Sequence, residues 1–123
     1  MIRNLFLIAL GGGVGSMLRY LTTVYIQKYF SSVFPLATLV ANIVGCLLIG
    51  IIIGLLGKNH LADSTMKALL VTGFCGGYTT FSTFGYENIS MLQQHNFGWS
   101  FVYIASSVIV GLFAVWLGLT IVK

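Results

Sequence analysis

The chain has 123 residues, of which 58% are apolar and only 7% are charged, and its mean hydropathy is +0.99. A water-soluble domain carries roughly 25% charged residues and about 45–50% apolar ones, and a small domain keeps much of its surface in water. These values argue against a soluble enzyme, a nucleic-acid-binding protein and a secreted module, and they indicate an integral membrane protein. The net charge of +4 comes from basic residues scattered along the chain, so we expect no nucleic acid partner.

Four apolar stretches follow one another along the chain. A helix needs about 20 apolar residues to cross the hydrocarbon core, so this length allows four crossings joined by short loops. We predict one all-α transmembrane domain over residues 1–123. Its four predicted transmembrane helices lie at about 4–25, 36–56, 66–92 and 99–122.

The basic residues lie unevenly on the two sides of this predicted bundle. Four helices put the N-terminus, the second loop and the C-terminus on one side, which favours that side as cytoplasmic by the positive-inside rule. The basic residues on this side are Arg3, Lys58, Lys67 and Lys123. The opposite side has Lys28 and, near the membrane, Arg19, so the bias is modest.

Glycine pairs have two predicted roles. Gly11-x3-Gly15 in the first helix, and a matching pair at 50 and 54 in the second, have the spacing that lets helix backbones approach closely in lipid. Gly76 and Gly77 are adjacent in the third helix, where each costs about 1 kcal/mol relative to Ala. We predict that the third helix is broken here at mid-membrane. The freed carbonyls form either an ion site or a kink satisfied by neighbouring threonine hydroxyls.

After the predicted break, two stripes run along the third helix. Phe81 and Phe84 share one face, and Thr80, Thr83 and Glu87 line a polar face beside it. Aromatic pairs at this spacing are typical of packing. Ring edges carry positive potential, however, so they can also sit against an anion that must be released again.

Further polar residues are costly in lipid and need partners. Asn42 lies one turn after Thr38 in the second helix, where its amide either bridges helices or meets a passing ion. Arg19 and Glu87 either pair with each other or face water-filled vestibules. On the fourth helix, Tyr103 and an i+4 hydroxyl at 107 share one face, which is a weak signal because such hydroxyls often bond their own helix.

These segments together resemble the Fluc (CrcB) fluoride channels, over essentially the whole chain. The most specific part is the run from Gly76 to Phe84, Gly-Gly-Tyr-Thr-Thr-Phe-Ser-Thr-Phe, followed by Glu87. The other matching residues are Gly11, Gly12, Leu18, Arg19, Tyr20, Thr38, Asn42 and Gly45.

The resemblance implies an antiparallel dual-topology dimer in the lipid of a prokaryotic cell membrane, with two fluoride pathways at the subunit interface. It also implies a structural sodium ion on the two-fold axis, held by the main-chain carbonyls of Gly76 and Thr79 from both subunits. The residues it assigns to the fluoride pathway are Arg19, Thr38, Asn42, Thr80, Thr83, Phe81, Phe84, Glu87, Tyr103 and Ser107. The charge bias leaves open a heterodimer with an oppositely biased sister subunit, although a homodimer is favoured.

We therefore predict a passive fluoride channel that lets cytoplasmic fluoride leave the cell, and not an enzyme. The main alternative is a proton-coupled exporter of cationic compounds, similar to the small multidrug-resistance family. Those proteins resemble this chain in length and helix number but use an acid in the first helix, where this chain has Arg19. A non-conducting packing subunit would leave the polar stripes unexplained. Intramembrane catalysis is disfavoured because the histidines lie in loops and the only acids are Asp63 and Glu87.

Overall fold

A computed structural model describes residues 1–60 and 63–123, and the described part is almost entirely helical. The helices are α1 (Ile2–Tyr29), α2 (Leu36–Lys58), α3 (Ser64–Met66), a π-helical segment π1 (Lys67–Cys75), α4 (Gly76–Tyr78), α5 (Phe81–Gln93) and α6 (Phe97–Ile121). The described residues form no β-strand. This confirms the all-α prediction.

Three helices, α1, α2 and α6, are long and apolar enough to cross a membrane. They begin close to the starts predicted from the sequence, and α1 continues four residues further than predicted, to Tyr29. Large apolar side chains on these helices are exposed, such as Leu112 at 69% and Ile109 at 68%. Exposed apolar side chains in this number would be untenable in water and are suited to lipid. The chain is a membrane protein.

The predicted third helix is present as two halves. Residues 64–78 form one continuous helical run, and α5 follows after an interruption at Thr79 and Thr80, whose backbones are extended (φ −89°, ψ 160° and φ −151°, ψ 124°). The break therefore lies after Gly76 and Gly77. The prediction of a break at these two glycines is wrong, because both stay helical in α4. Each half is shorter than the roughly 20 residues of a full crossing.

The glycines of α1 let it pack backbone to backbone against residues 64–78. A Cβ atom added to Gly11 would collide with the carbonyl oxygen of Leu69, and one on Gly15 would collide with that of Phe74. Contacts advance along both segments in the same direction, so the two helices are parallel. The predicted close-packing role of the Gly11-x3-Gly15 pair is confirmed.

The second glycine pair joins α2 to α6 in the same way. A Cβ on Gly118 would lie 2.5 Å from the carbonyl oxygen of Leu47, and one on Gly50 would collide with the α6 backbone. One turn later, a Cβ on Gly54 would overlap the side chain of Val122. The α2 and α6 helices are thus a second parallel pair, packed too closely for any side chain at these positions.

A tight turn connects α5 to α6. The amide of Asn96 donates to Met91 O at 2.8 Å, and the amide of His95 donates to Leu92 O at 3.1 Å. His95 has a φ of 63°, so it occupies the left-handed position of a Schellman motif that is usually glycine. This motif ends α5 sharply and folds it back against α6, where its polar side chains meet Tyr103 and Ser100.

Candidate functional site

The break in the third helix is held by an asparagine of α2. Asn42 Nδ2 donates to the carbonyl oxygen of Thr80 at 3.0 Å, and the amide of Thr80 donates to Asn42 Oδ1 at 2.8 Å. Both backbone polar groups of Thr80, which an unbroken helix would satisfy internally, are therefore satisfied by one side chain. Of the two roles considered for Asn42, bridging helices is the one seen here, and its second amide hydrogen is left over.

Threonine hydroxyls close the two half-helices on either side of the break. The amide and the hydroxyl of Thr79 both donate to Cys75 O, at 3.0 and 2.8 Å, which ends the first half. Thr80 is the N-cap of α5, and its Oγ1 accepts a hydrogen bond from the amide of Thr83 at 3.2 Å. Thr79 thus gives Cys75 O a second donor, and Thr80 satisfies the amide of Thr83.

Three backbone carbonyls at the break, those of Gly76, Tyr78 and Thr79, accept no hydrogen bond from the described residues. In an unbroken helix, Gly76 O and Thr79 O would accept from the amides of Thr80 and Thr83. Those amides instead donate to Asn42 Oδ1 and Thr80 Oγ1. Across residues 1–60 and 63–123, no other donor reaches these two oxygens. Gly76 O also lies at the carbonyl end of the helix over 64–78, which carries partial negative charge.

Free carbonyls at a helix C-terminus suit a hard cation, so this donor set fits the sodium ion implied by the resemblance. Side chains offer no comparable site in the described part of the chain, where no three His, Cys, Asp or Glu residues cluster closely enough to hold a metal ion. The two cysteines are free thiols, Cys75 buried and Cys46 half-buried.

The residues singled out from the sequence line two cavities rather than one. The polar cavity has a volume of about 610 Å³. Of the predicted pathway residues, it is lined by Arg19, Thr38, Thr80, Thr83 and Glu87. The aromatic cavity has a volume of about 370 Å³. It is lined by Asn42, Gly76, Thr79, Thr80, Phe81, Phe84 and Ser107. Thr80 at the break is the one predicted residue common to both.

Glu87 is anchored in the polar cavity by two hydroxyl groups. Thr38 Oγ1 donates to Glu87 Oε2 at 2.9 Å, and the Tyr103 hydroxyl donates to Glu87 Oε1 at 2.8 Å. These bonds bring together residues from α2, α5 and α6. Both carboxylate oxygens are oriented by neutral donors, as a carboxylate within a bundle requires.

Tyr103 connects the two cavities although it lines neither. Its side chain is fully buried, at 0% exposure. Its hydroxyl contacts Glu87 of the polar cavity, and its ring lies 4.9 Å from that of Phe84 in the aromatic cavity, with 59° between the ring planes. Movement of Tyr103 would therefore displace both Glu87 in the polar cavity and Phe84 in the aromatic cavity.

Arg19 and Glu87 both line the polar cavity, but each is bonded to other groups. Arg19 Nε donates to the carbonyl oxygen of Gly77 at 3.2 Å. This bond ties α1 to the last turn before the break and leaves other guanidinium donors for the cavity. The mutual ion pair considered from the sequence is thus replaced by separate partners, and the vestibule alternative remains.

Two residues of the aromatic cavity have unusual surroundings. The side chain of Phe81 is 82% exposed, with its ring 5.7 Å from that of Phe84. Ser107 Oγ is buried and, within the described ranges, has no hydrogen-bond partner. The sequence offered only a weak signal for Ser107, because such hydroxyls often bond their own helix, and its unpartnered hydroxyl is a stronger one.

Sequence reasoning missed several polar residues of the polar cavity. They are Thr23, Gln27, Ser90 and Gln94. Thr23 follows Arg19 by one turn and Gln94 follows Ser90 by one turn, so each lies on the same helix face as another polar residue. That spacing was the available signal.

Comparison with known proteins identifies the family. Residues 6–119 match the family model described as CrcB-like protein, Camphor Resistance (CrcB). A relative from Flavobacterium psychrophilum, named fluoride-specific ion channel FluC, is 53% identical over 122 residues, which cover 99% of this chain and 98% of that protein. Fluoride-specific ion channel FluC 2 of Rhodococcus jostii is 47% identical over 115 residues, covering 94% and 95%. The family resemblance predicted from the motifs is confirmed, and the chain belongs to the CrcB-like family.

Proposed function

We propose that this protein is a fluoride-selective channel through which cytoplasmic fluoride leaves the cell passively, which limits its toxicity. The names of its relatives support fluoride as the transported ion. The observation in this chain that carries the proposal is the pair of cavities flanking α5, with Thr80 in both walls. Ion permeation makes and breaks no covalent bond, so no enzyme activity is assigned.

The chemistry of the two cavities suits a small, strongly hydrated anion. Fluoride can lose water only where other donors replace it. Thr80 and Thr83 line the polar cavity, and Thr80 also lines the aromatic cavity together with Phe81 and Phe84. Ring edges stabilise an anion without a full charge. Among the described lining residues, Arg19 is the one cation of the polar cavity and the aromatic cavity has none, so binding in the aromatic cavity stays weak enough for release.

The proposed path runs from the polar cavity past the break and into the aromatic cavity. Arg19 attracts the anion electrostatically, and hydroxyls at Thr80 and Thr83 exchange for its water. The unpartnered Ser107 hydroxyl and the second Asn42 N–H are donors available on the far side of the break. Glu87 accepts hydrogen bonds from Thr38 and Tyr103, so it holds α2, α5 and α6 together beside this path.

We infer that the functional unit is an antiparallel, dual-topology homodimer in the cell membrane of a prokaryote, with each subunit crossing the bilayer four times. Phe81 supports this inference, because its ring lines the aromatic cavity and is 82% exposed in the single chain, so a facing subunit would cover it and close the cavity. In the dimer, the aromatic cavity of each subunit would form one of two fluoride pathways. A heterodimer with an oppositely biased sister subunit is the alternative assembly.

We further propose that Gly76 O and Thr79 O bind a structural sodium ion on the dimer axis. Their lack of hydrogen-bond donors supports this assignment. The ion would neutralise the two facing helix C-termini and hold the subunits together.

Fluoride efflux from liposomes tests the proposed function. The purified protein is reconstituted with potassium fluoride inside, and release is followed with a fluoride electrode before and after valinomycin. We expect rapid release that needs valinomycin, because an uncoupled anion current must be balanced by potassium. Chloride should be retained in parallel. Retention of both anions would contradict the proposal, and uptake of cationic compounds under a pH gradient would then be measured.

A further inference from the structure

We propose that the buried hydrogen bond between Asn88 and Ser100 positions α5 relative to α6, and thereby positions Phe84 and Glu87 for fluoride permeation. This inference rests on the proposed channel function. Asn88 and Ser100 line neither cavity, and sequence reasoning singled out neither residue. They act through their neighbours and are positioning residues.

The Asn88–Ser100 bond is well buried and its direction is unambiguous. Asn88 is 6% exposed and Ser100 is 2% exposed. Asn88 Nδ2 donates at 2.9 Å to the carbonyl oxygen of Phe84, which can only accept. The amide oxygen must therefore face Ser100, whose hydroxyl donates to it at 2.9 Å. The first bond fixes the side chain of Asn88, and the second bond attaches it to α6.

The Asn88–Ser100 bond lies close to the site residues Phe84 and Glu87 along α5, so it can affect their positions. Asn88 follows Glu87 directly and lies one turn beyond Phe84, while Ser100 lies nearly one turn before Tyr103. The Asn88–Ser100 bond and the Glu87–Tyr103 bond, the latter 2.8 Å long, are thus two adjacent links between α5 and α6. A shift of α5 along α6 would break both links and carry Phe84 with it.

Apart from the hydrogen bonds of Glu87 and Asn88, the contacts of α5 are less able to set its axial position. Within the described residues, α5 packs mainly against α6, with fewer contacts to the other helices. The ring contact between Phe84 and Tyr103 is non-directional and allows sliding. A buried hydrogen bond between two short side chains does not allow sliding, because water cannot take the place of the lost partner.

Two variants separate positioning from stability. Ser100→Ala leaves the amide oxygen of Asn88 buried without a donor, which destabilises the protein as well as removing the link. The double variant Asn88→Leu/Ser100→Ala removes both polar partners together, so its stability should return close to that of the wild type. Ser106→Ala is the matched control, because the Ser106 hydroxyl bonds only carbonyls of its own helix.

The first readout is the unit current of single channels in planar bilayers, which does not depend on the fraction of folded protein. We expect a fall of about threefold or more in both Ser100→Ala and the double variant. The Ser106→Ala control should keep the wild-type current. A double variant with wild-type unit current would show that the Asn88–Ser100 bond only stabilises the fold, and it would overturn the proposal.

The second readout does not depend on fluoride transport. Hydrogen exchange of the α5 amides between Phe84 and Asn88 is followed by mass spectrometry in lipid nanodiscs. We expect faster exchange in the double variant and no change in Ser106→Ala. If the wild type carries no fluoride current, the proposed function fails while this readout still tests the link. Unchanged exchange in the double variant would overturn the positioning role in either case.

Discussion

Asn42 of α2 and Thr80 of the broken third helix are joined by two hydrogen bonds, with Asn42 donating at 3.0 Å and accepting at 2.8 Å. The side-chain amide thus replaces the two backbone partners that an unbroken helix would supply. Because Thr80 lines both cavities, the geometry of this pair sets the shape of the region where they meet. The break is therefore stabilised by specific hydrogen bonds, and single substitutions can test their contribution.

We predict that Asn42→Asp suppresses fluoride flux by about tenfold or more. The aspartate would keep an acceptor for the Thr80 amide but place a second oxygen against the Thr80 carbonyl. That repulsion and the lost bond should lower the free energy of unfolding by about 1–3 kcal/mol. Liposome efflux and thermal unfolding measure the two effects.

Asn59→Asp is the matched control for this substitution. Asn59 Nδ2 also donates to a backbone carbonyl, Leu55 O at 3.0 Å, but in an exposed position at the end of α2. We expect wild-type flux and nearly unchanged stability. Equal behaviour of the two variants would remove Asn42 from any special role at the break.

We predict that Phe81→Ile suppresses fluoride flux and leaves the fold and dimer intact. The ring is 82% exposed in the single chain, so its loss opens no cavity in the subunit core. Isoleucine has no ring edge to face an anion. Phe101→Ile, at a site that is 73% exposed on α6, is the control and should conduct normally. Normal efflux through Phe81→Ile would exclude this ring from the pathway.

The hydroxyls of Thr38 and Tyr103, which both donate to the Glu87 carboxylate, should act as a unit. Tyr103→Phe and Thr38→Val each remove one donor to the carboxylate, and we expect each to slow fluoride efflux. Because the donors share one carboxylate, the effects of the double variant should be non-additive by about 0.5–3 kcal/mol. Initial rates of efflux for the four proteins of the cycle measure this coupling, with Tyr25→Phe as an exposed-tyrosine control. Strict additivity would argue that the donors act independently.

We predict that Thr79→Ser is tolerated in both flux and dimer stability. Serine keeps the hydroxyl that bonds Cys75 O and the carbonyl assigned to sodium. It loses only the methyl group that lies over Gly45. The thermal unfolding temperature in sodium and in potassium buffers measures the ion's contribution, which should be the same in the variant and the wild type. Severe loss of the dimer in Thr79→Ser would contradict a role through the carbonyl alone.

Close helix packing predicts opposite effects for two glycines of α2. Gly50→Ala would place a Cβ against the backbone of α6, so we expect destabilisation by about 1–3 kcal/mol from overpacking. A Cβ on Gly57 would meet nothing within 4 Å, so Gly57→Ala should be neutral or stabilise by up to about 1 kcal/mol through helix propensity. Thermal unfolding in detergent compares them. A tolerated Gly50→Ala would mean that α2 and α6 are less tightly packed than described.

Local sequence patterns predict much of this fold. Long apolar runs placed α1, α2 and α6, and the small-x3-small spacing identified Gly11 and Gly50 as backbone contacts. These features follow from composition and period, since a long apolar run in lipid satisfies its backbone hydrogen bonds within the segment by forming a helix. The polar stripe from Thr80 to Glu87 likewise predicted side chains that the structure brings to one cavity.

Other features depend on tertiary partners that a sequence does not reveal. The break lies at Thr79 and Thr80, and not at Gly76 and Gly77, because Asn42 stabilises extended backbone there, while Gly77 stays helical and packs against the α1 backbone at Gly12. His95 takes a left-handed conformation that is unusual for a non-glycine residue, so no glycine marked the turn. The division of the pathway residues between two cavities also required the structure.

The reversal potential of the fluoride current tests the central claim most directly. The protein is studied in a planar bilayer with a tenfold fluoride gradient and, in a second recording, an opposing pH gradient. A passive fluoride channel predicts reversal at about 59 mV in magnitude, the value for a monovalent ion at this gradient, and no shift when the pH gradient is imposed. A reversal potential that moves with the pH gradient would contradict a passive channel and indicate coupling to protons.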